Sequence, residues 1–260
     1  MGIINVTPDS FSQDGLYNQT KHIETALNQA RRMITDGADF LDIGAESSRP
    51  GASLVDESEE SKRLFPVLKE LINQKIDVPI SVDTYKPRIA EKALEIGASI
   101  INDIWGFKFP GDQEHLMARV AAQAEVPVIL MHNKVEAKYS NLMKEIVDSL
   151  SESIEIASNS GVNSDQIIID PGIGFGKTVQ DNLFVLQNME QLTSLKKPVL
   201  LGTSRKSVIG KTLDLPVNER LEGTIATVIW GITKGANIIR VHDVLEHSRA
   251  IKMCDAIRNR

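Results

Sequence analysis

The chain has 260 residues and a formal net charge of −6, from 29 Lys and Arg against 35 Asp and Glu. That length suits one large domain or two small ones, and the acidity argues against a general affinity for nucleic acid or an anionic membrane surface. The single cysteine, Cys254, excludes an intrachain disulfide and fits a reducing compartment. No apolar run reaches the ~18 residues of a membrane span, and no basic region followed by an apolar stretch precedes the first strand. The chain therefore reads as cytoplasmic, and the sequons Asn5-Val6-Thr7 and Asn18-Gln19-Thr20 read as chance.

In chain order, short β-branched runs alternate with longer amphipathic segments. GIINV (2–6) carries Asn5 near its end. A helix over 20–36 follows, with Ile23, Leu27, Ala30 and Ile34 apolar, then FLDIG (40–44), which contains Asp42. A helix over 57–73 shows Leu64, Leu68, Leu71 and Ile72. PISVD (79–83) ends in Asp83, a helix covers 87–96, and SIIND (99–103) ends in Asn102-Asp103. A helix over 113–124 leads to PVILM (127–131), which runs into His132. A helix over 141–159 leads to QIIID (166–170), which ends in Asp170. After a helix over 180–192, PVLLG (198–202) leads to Ser204-Arg205-Lys206-Ser207. A helix over 218–233 precedes NIIRV (237–241), which contains Arg240 and runs into His242-Asp243, and a last helix covers 244–258.

Gly37-Ala38, Gly97-Ala98, Gly161-Val162 and Gly235-Ala236 each read as a helix C-cap leading into the next strand. The strands are apolar throughout, as expected for parallel strands covered on both faces. Eight β/α units in about 250 residues is the count of a closed (β/α)8 TIM barrel. One α/β domain over 1–260 is expected, with an open doubly wound sheet as the alternative. The weakly patterned stretches 7–19, 44–56 and 203–217 all follow strands, so in a barrel they sit on the catalytic face.

Polar residues mark nearly every strand end, and in a parallel barrel those ends converge on one mouth. A single strand-end Asp often caps a helix, but the whole set points to a polar active site. Asp83, Asn102 and Asp170 suit a flat heterocycle with several N–H donors. Arg49, Arg205, Lys206, Arg240 and His242 suit a polyanion such as pyrophosphate. Residues 167–178, IIIDPGIGFGKT, resemble a phosphate loop only at the end: Gly176-Lys177-Thr178 fits G-x-x-x-x-G-K-[ST], but Pro171 stands where the first Gly belongs. The dinucleotide spacing G-x-G-x-x-G fails as well.

NVTPDSF (5–11), DIGAESSRPGA (42–52), SVDT (81–84), IND (101–103), DPGIGFGKT (170–178), SRKS (204–207) and RVHD (240–243) together resemble the dihydropteroate synthase family of pterin-binding enzymes. The motifs run in order through essentially the whole chain. The resemblance implies a (β/α)8 barrel and a transferase of folate biosynthesis. That enzyme joins 7,8-dihydropterin-6-ylmethyl diphosphate to 4-aminobenzoate, releases pyrophosphate, and is the target of sulfonamides, which mimic the aminobenzoate. It further implies that Asp83, Asn102, Asp170, Lys206 and Met131 surround the pterin. Asn5 would help hold Mg2+ on the diphosphate, with Arg240, His242 and Arg49 as anion-binding groups. Phe11, Ser48, Arg49, Pro50 and Phe175 would border the aminobenzoate, and Ser207, at a helix N-terminus, would receive its carboxylate. Asp83, Lys206, Arg240 and His242 are the implied catalytic set, and a homodimer through the last helices is implied too.

The chain departs from the family pattern in places. The first loop reads Asp9-Ser10-Phe11-Ser12-Gln13-Asp14-Gly15, with the second acid displaced by one position. Ser48 stands where Thr is usual, keeping the hydroxyl, and the residues that commonly precede the Met-Gly-Ile strand are not present. Two alternatives share the pterin acids. A pterin-dependent methyltransferase acting on a corrinoid protein would need neither SRKS nor SSRPG, and a non-catalytic pterin-binding protein could dispense with Asn5, Arg240 and His242. Other residues have structural readings: Trp105, Trp230 and His132 as packing residues, and His22, His115 and His247 as surface residues. Lys177 reads as a solvated loop cation and Asp56 to Lys62 as a solvated helix start.

Overall fold

The computed structural model describes residues 1–7, 19–46 and 54–258. Its strands are β1 (Gly2–Asn5), β2 (Leu41–Gly44), β3 (Ile80–Asp83), β4 (Ile100–Asp103), β5 (Val128–Met131), β6 (Ile167–Asp170), β7 (Leu200–Leu201) and β8 (Ile238–Ile239). The helices are α1 (Gln19–Thr35), α2 (Glu57–Asn73), α3 (Pro87–Ile96), α4 (Leu116–Ala124), α5 (Leu142–Asn159), α6 (Val179–Gln187), α7 (Ser207–Leu213), α8 (Leu221–Thr233) and α9 (Val244–Arg258).

All strand pairs are parallel. β1 to β6 form one sheet in chain order, and β7 pairs with β8. Two bridges close the ring: Ile169 with Val199 joins β6 to β7, and Gly2 with Val241 joins β8 back to β1. The closing hydrogen bonds are ordinary, with Ile169 N–H donating to Pro198 O at 2.9 Å and Ile3 N–H to Val241 O at 3.0 Å. This is the closed (β/α)8 barrel, with no sheet edge left between first and last strands.

β7 and β8 are shorter than the five-residue runs expected from the sequence. Pro198 has no N–H to give to a ladder, which delays β7. The Asn237 side chain accepts from Val199 N–H at 2.9 Å, in place of a backbone carbonyl. The N–H groups of Asn237 and Ile238 both donate to Val199 O, the signature of a bulge. The helix expected over 180–192 is α6 followed by a 3-10 turn at Met189–Leu195. The stretch 203–217 contains the short α7. The glycines before β2, β4, β6 and β8 all have positive φ, as helix C-caps require. At Gly97 a Cβ would also lie 2.9 Å from Ile72 Cδ1, so packing of α2 on the turn demands glycine too.

Strand side chains alternate between the barrel interior and the helices. The outward set, including Ile4, Ile43, Val82, Ile101, Leu130, Ile169 and Leu201, merges with the inner faces of the helices into the large buried core. The inward set divides by height. Ile100, Ile129 and Leu200 are buried together, with Met1, Phe40, Ile168 and Ile238 packed on them, and form an apolar floor. Two residues farther along the same strands stand Asp42, Asn102, Met131, Asp170, Gly202 and Arg240. The site is thus one layer of the barrel, set on a packed floor.

Ile129 is fully buried in that floor. Ile129→Ala is expected to cost about 2–4 kcal/mol in urea unfolding, the usual range for a buried aliphatic truncated to alanine. A loss below about 1 kcal/mol would show that the floor is not close-packed.

Candidate active site

The mouth is organised around a guanidinium. Arg240, following β8, reaches past β1 to donate from Nε to Asp42 Oδ2 at 2.6 Å and from Nη2 to Asp83 Oδ2 at 2.8 Å. Asn102 on β4 donates to the same Asp42 oxygen at 3.2 Å. Asp42 is fully buried, and the Arg240 and Asp83 side chains are partly buried. Burial works against the charge of Arg240, but Asp42 and Asp83 outweigh it and hold the guanidinium above its ordinary value. Burial pushes the Asp83 carboxyl up to about 7, with Arg240 opposing the shift and Asp42 and Glu60 adding to it.

Across the mouth, Asp170 is buried at the end of β6 and accepts from Gly172 N–H at 2.7 Å, closing the Asp-Pro-Gly turn. Its carboxyl is also raised by burial, against the pull of Lys206 and the Gly172 N–H. Lys206 donates to Ile173 O, and its ammonium lies 4.6 Å from the centre of the Phe175 ring. Burial brings Lys206 down to about 8, although Asp170 and Asp83 favour its charge. Met131 is buried at the end of β5, in register with Asp170.

On the β8–β1 side, His242 Nδ1 lies 2.9 Å from Ser204 Oγ, which also accepts from His242 N–H at 3.1 Å. His242 Nε2 is 3.5 Å from Asn5 Nδ2. Ser207 is exposed at the start of α7. Asn5, Asp83, Asn102, Met131, Asp170, Phe175, Lys206, Ser207, Arg240 and His242 are therefore all brought to one end of the barrel. Phe11, Ser48, Arg49 and Pro50, and with them Gln13 and Asp14, lie outside the described residues.

Several expectations fail. Lys177 is not a solvated cation: its Nζ bonds to His132 Nδ1 at 2.8 Å, Gly172 O at 3.0 Å and Phe175 O at 3.1 Å. Glu60, in the run Asp56 to Lys62 that reads as a solvated helix start, has no exposed surface and is held by Lys86 at 2.5 Å. His22 and His247 are buried under the helices that carry them. Arg205 is engaged by Asp243 through both carboxylate oxygens and so belongs to a clamp between the loops after β7 and β8. Trp230 is about half exposed, with its indole N–H donating to Leu186 O at 2.9 Å.

Two residues gain a place the sequence did not assign them. Asp42 was legible as a polar group but carried no role, and it anchors both Arg240 and Asn102. Ser204 orients His242. The period of two identifies Asp42, which stands two residues beyond floor residue Phe40 and faces the same interior.

Comparison with known proteins agrees with this geometry. The family model for pterin binding enzymes matches residues 1–242. The dihydropteroate synthase of Clostridium beijerinckii is 52% identical over all of this chain and 94% of its own length. That of Bacillus subtilis is also 52% identical, over all of this chain and 88% of its own. A crystal structure of dihydropteroate synthase from Clostridium difficile, obtained in the presence of pteroic acid, superposes with a TM-score of 0.93 at 46% identity, covering all of this chain and 96% of that one. The Xanthomonas albilineans enzyme with 4-aminobenzoic acid gives 0.91 at 38% identity, covering 99% and 92%. With the match spanning nearly its full length, the chain belongs to the pterin-binding enzymes, in the dihydropteroate synthase family.

Proposed function

We propose that this chain is a transferase that condenses 7,8-dihydropterin-6-ylmethyl diphosphate with 4-aminobenzoate, giving 7,8-dihydropteroate and pyrophosphate. The observation that carries this reading is the single layer of Asp42, Asp83, Asn102, Asp170, Lys206 and Arg240 on an apolar floor. Acceptors in that layer suit the amino and ring N–H groups of a pterin, and the floor suits its flat face. Relatives crystallised with pteroic acid, 4-aminobenzoic acid and 7,8-dihydropteroate support the same reading.

In this reading Asp83, Asn102 and Asp170 bind the pterin edge, Met131 lies beneath it, and Lys206 donates from the other side. Arg240 Nη1 makes no hydrogen bond among the described residues and is placed to meet a diphosphate oxygen, together with His242 and Arg49. The Asn5 carboxamide is the right donor for Mg2+. That ion takes oxygen ligands, keeps several waters and accepts substrate phosphates, so a small protein share suffices. When bound there it neutralises charge on the departing diphosphate.

As the diphosphate leaves, positive character grows on the pterin methylene carbon. The Asp83 carboxylate, fixed by Arg240, is oriented before the reaction to face it. The arylamine then attacks, seated between Phe175 and the loops bearing Phe11, Ser48, Arg49 and Pro50, with its carboxylate at Ser207. No protein nucleophile is required. We further propose that residues 1–260 act as one barrel domain in the cytoplasm, with neither nucleic acid nor membrane as partner. The exposed Trp230 on α8 and Met253 and Ile257 on α9 support pairing with a second copy.

Pyrophosphate release tests the reaction directly. Release from the pterin diphosphate with Mg2+ must depend on 4-aminobenzoate and yield dihydropteroate. Pterin binding without release would favour a binding protein, and methyl transfer to a corrinoid would favour the methyltransferase reading.

The ionisations set a pH profile. Asp83 must be ionised to accept from the pterin, and Lys206 must be protonated to donate. The kcat/KM for the pterin diphosphate should therefore form a bell, falling below about 7 and above about 8. Asp83→Asn should lower kcat/KM by at least about 100-fold, with the acidic limb lost from what remains. Wild-type turnover in that variant would overturn the assignment. Ser207→Ala should raise KM for aminobenzoate more than KM for the pterin diphosphate, and an equal rise in both would argue against a carboxylate seat at Ser207.

A further inference from the structure

The loop after β6 is docked onto the loop after β5 near both of its ends. Gly172 has φ +69°, and a Cβ there would lie 1.9 Å from His132 O; at Gly176, with φ +54°, it would lie 2.0 Å from Lys134 O. Tyr139 donates to Gly176 O at 2.7 Å, and its ring lies 6.1 Å from that of His132. Inside this contact Lys177 turns back beneath its own loop. An ammonium has three donors, and here three acceptors meet them: His132 Nδ1, Gly172 O and Phe175 O. None of the three is a carboxylate, and Lys177 has no salt bridge among the described residues. An amine partly withdrawn from water without a counter-ion in contact costs stability. Its place is better explained by what it holds.

We infer that Lys177 and His132 form a positioning pair for the aminobenzoate wall: the amine, seated on the His132 ring, ties down the carbonyls of Gly172 and Phe175 and so fixes the Phe175 side chain against Lys206. The inference rests on the proposed function, which puts Phe175 beside aminobenzoate. The pterin acid Asp170 lies on β6 itself, in register with Met131, so the strand pairing sets its position, whereas Phe175 is set by the loop that Lys177 ties down. The pair therefore acts on the second substrate more than on the first. Titration is consistent with this seat: burial brings Lys177 down to about 7 and His132 to about 3, so the imidazole is neutral and can accept at Nδ1.

The test is a split of Michaelis constants in the full chain, read from pyrophosphate release. Lys177→Met should raise KM for 4-aminobenzoate about ten-fold while KM for the pterin diphosphate stays within about two-fold. His132→Phe, which removes the acceptor and keeps a ring, should do the same. His132→Asn, whose Oδ1 takes the place of Nδ1, should restore the wild-type constant. Unchanged aminobenzoate KM in both variants, with an active wild type, overturns the inference alone, as does an equal rise for both substrates. A wild type without aminobenzoate-dependent release overturns the function and the inference with it. If Lys177→Met does not fold, the Phe and Asn variants at His132 decide.

Discussion

A guanidinium held between a buried and a partly buried carboxylate is the contact on which the mouth of this barrel depends. Asp42, Asp83 and Asp170 are three acids in one interior layer, and Arg240 and Lys206 are the two cations that share it. Carboxylates removed from water need compensation, and breaking a buried pair leaves an uncompensated charge. Arg240 meets that need geometrically as well as electrically. From β8 it spans β1 and ties β2 to β3, so the ring of strands is braced from inside at its polar end. Gly44 makes room for Asp83 in this arrangement: a Cβ there would come within 3.3 Å of Asp83 Cβ. The five charges sum to one negative, which suits a neutral heterocycle that offers N–H donors.

The division of the interior into floor and mouth follows from strand periodicity alone. A step of two residues keeps a side chain on the same face and raises it by about 6.5 Å. Phe40, Ile100, Ile129, Ile168, Leu200 and Ile238 therefore lie one level below Asp42, Asn102, Met131, Asp170, Gly202 and Arg240. This is why eight short runs sufficed to place the barrel and to bring their polar ends to one mouth. Asp42 escaped a role because it stands inside its strand, where one acid reads as an isolated polar residue until the register of its neighbours is known.

The misread residues share a different cause. Lys177 and Glu60 lie in segments that look solvated by composition, yet elements distant in sequence cover Lys177 in part and Glu60 completely. His132 and Lys134 cover the loop of Lys177. Lys86, from the turn after β3, meets Glu60 and also Glu46 at 2.7 Å. Nothing in the local pattern around either residue reports that docking. The glycines of IIIDPGIGFGKT were a partial signal. Their spacing fits no phosphate loop, and the structure shows their use: positive φ at Gly172 and Gly176 lets the backbone lie against the carbonyls of the neighbouring loop, and at Gly174 against the Lys206 side chain.

Charge placement at the mouth works against the stability of the free protein. Asp83 is held where its ionised form is disfavoured, and Lys206 where its protonated form is disfavoured. A shift in either direction is free energy stored in the folded state. The floor and the helix-facing core, both largely apolar, supply the packing that tolerates it. Substrate donors that approach Asp83 and Asp170 relieve part of this strain, so binding and catalysis draw on energy already invested in the fold. The same logic extends to Lys177: an amine kept from water beneath a glycine-rich turn costs stability locally, and what it returns is a fixed wall where a second substrate has to be held in line with the first.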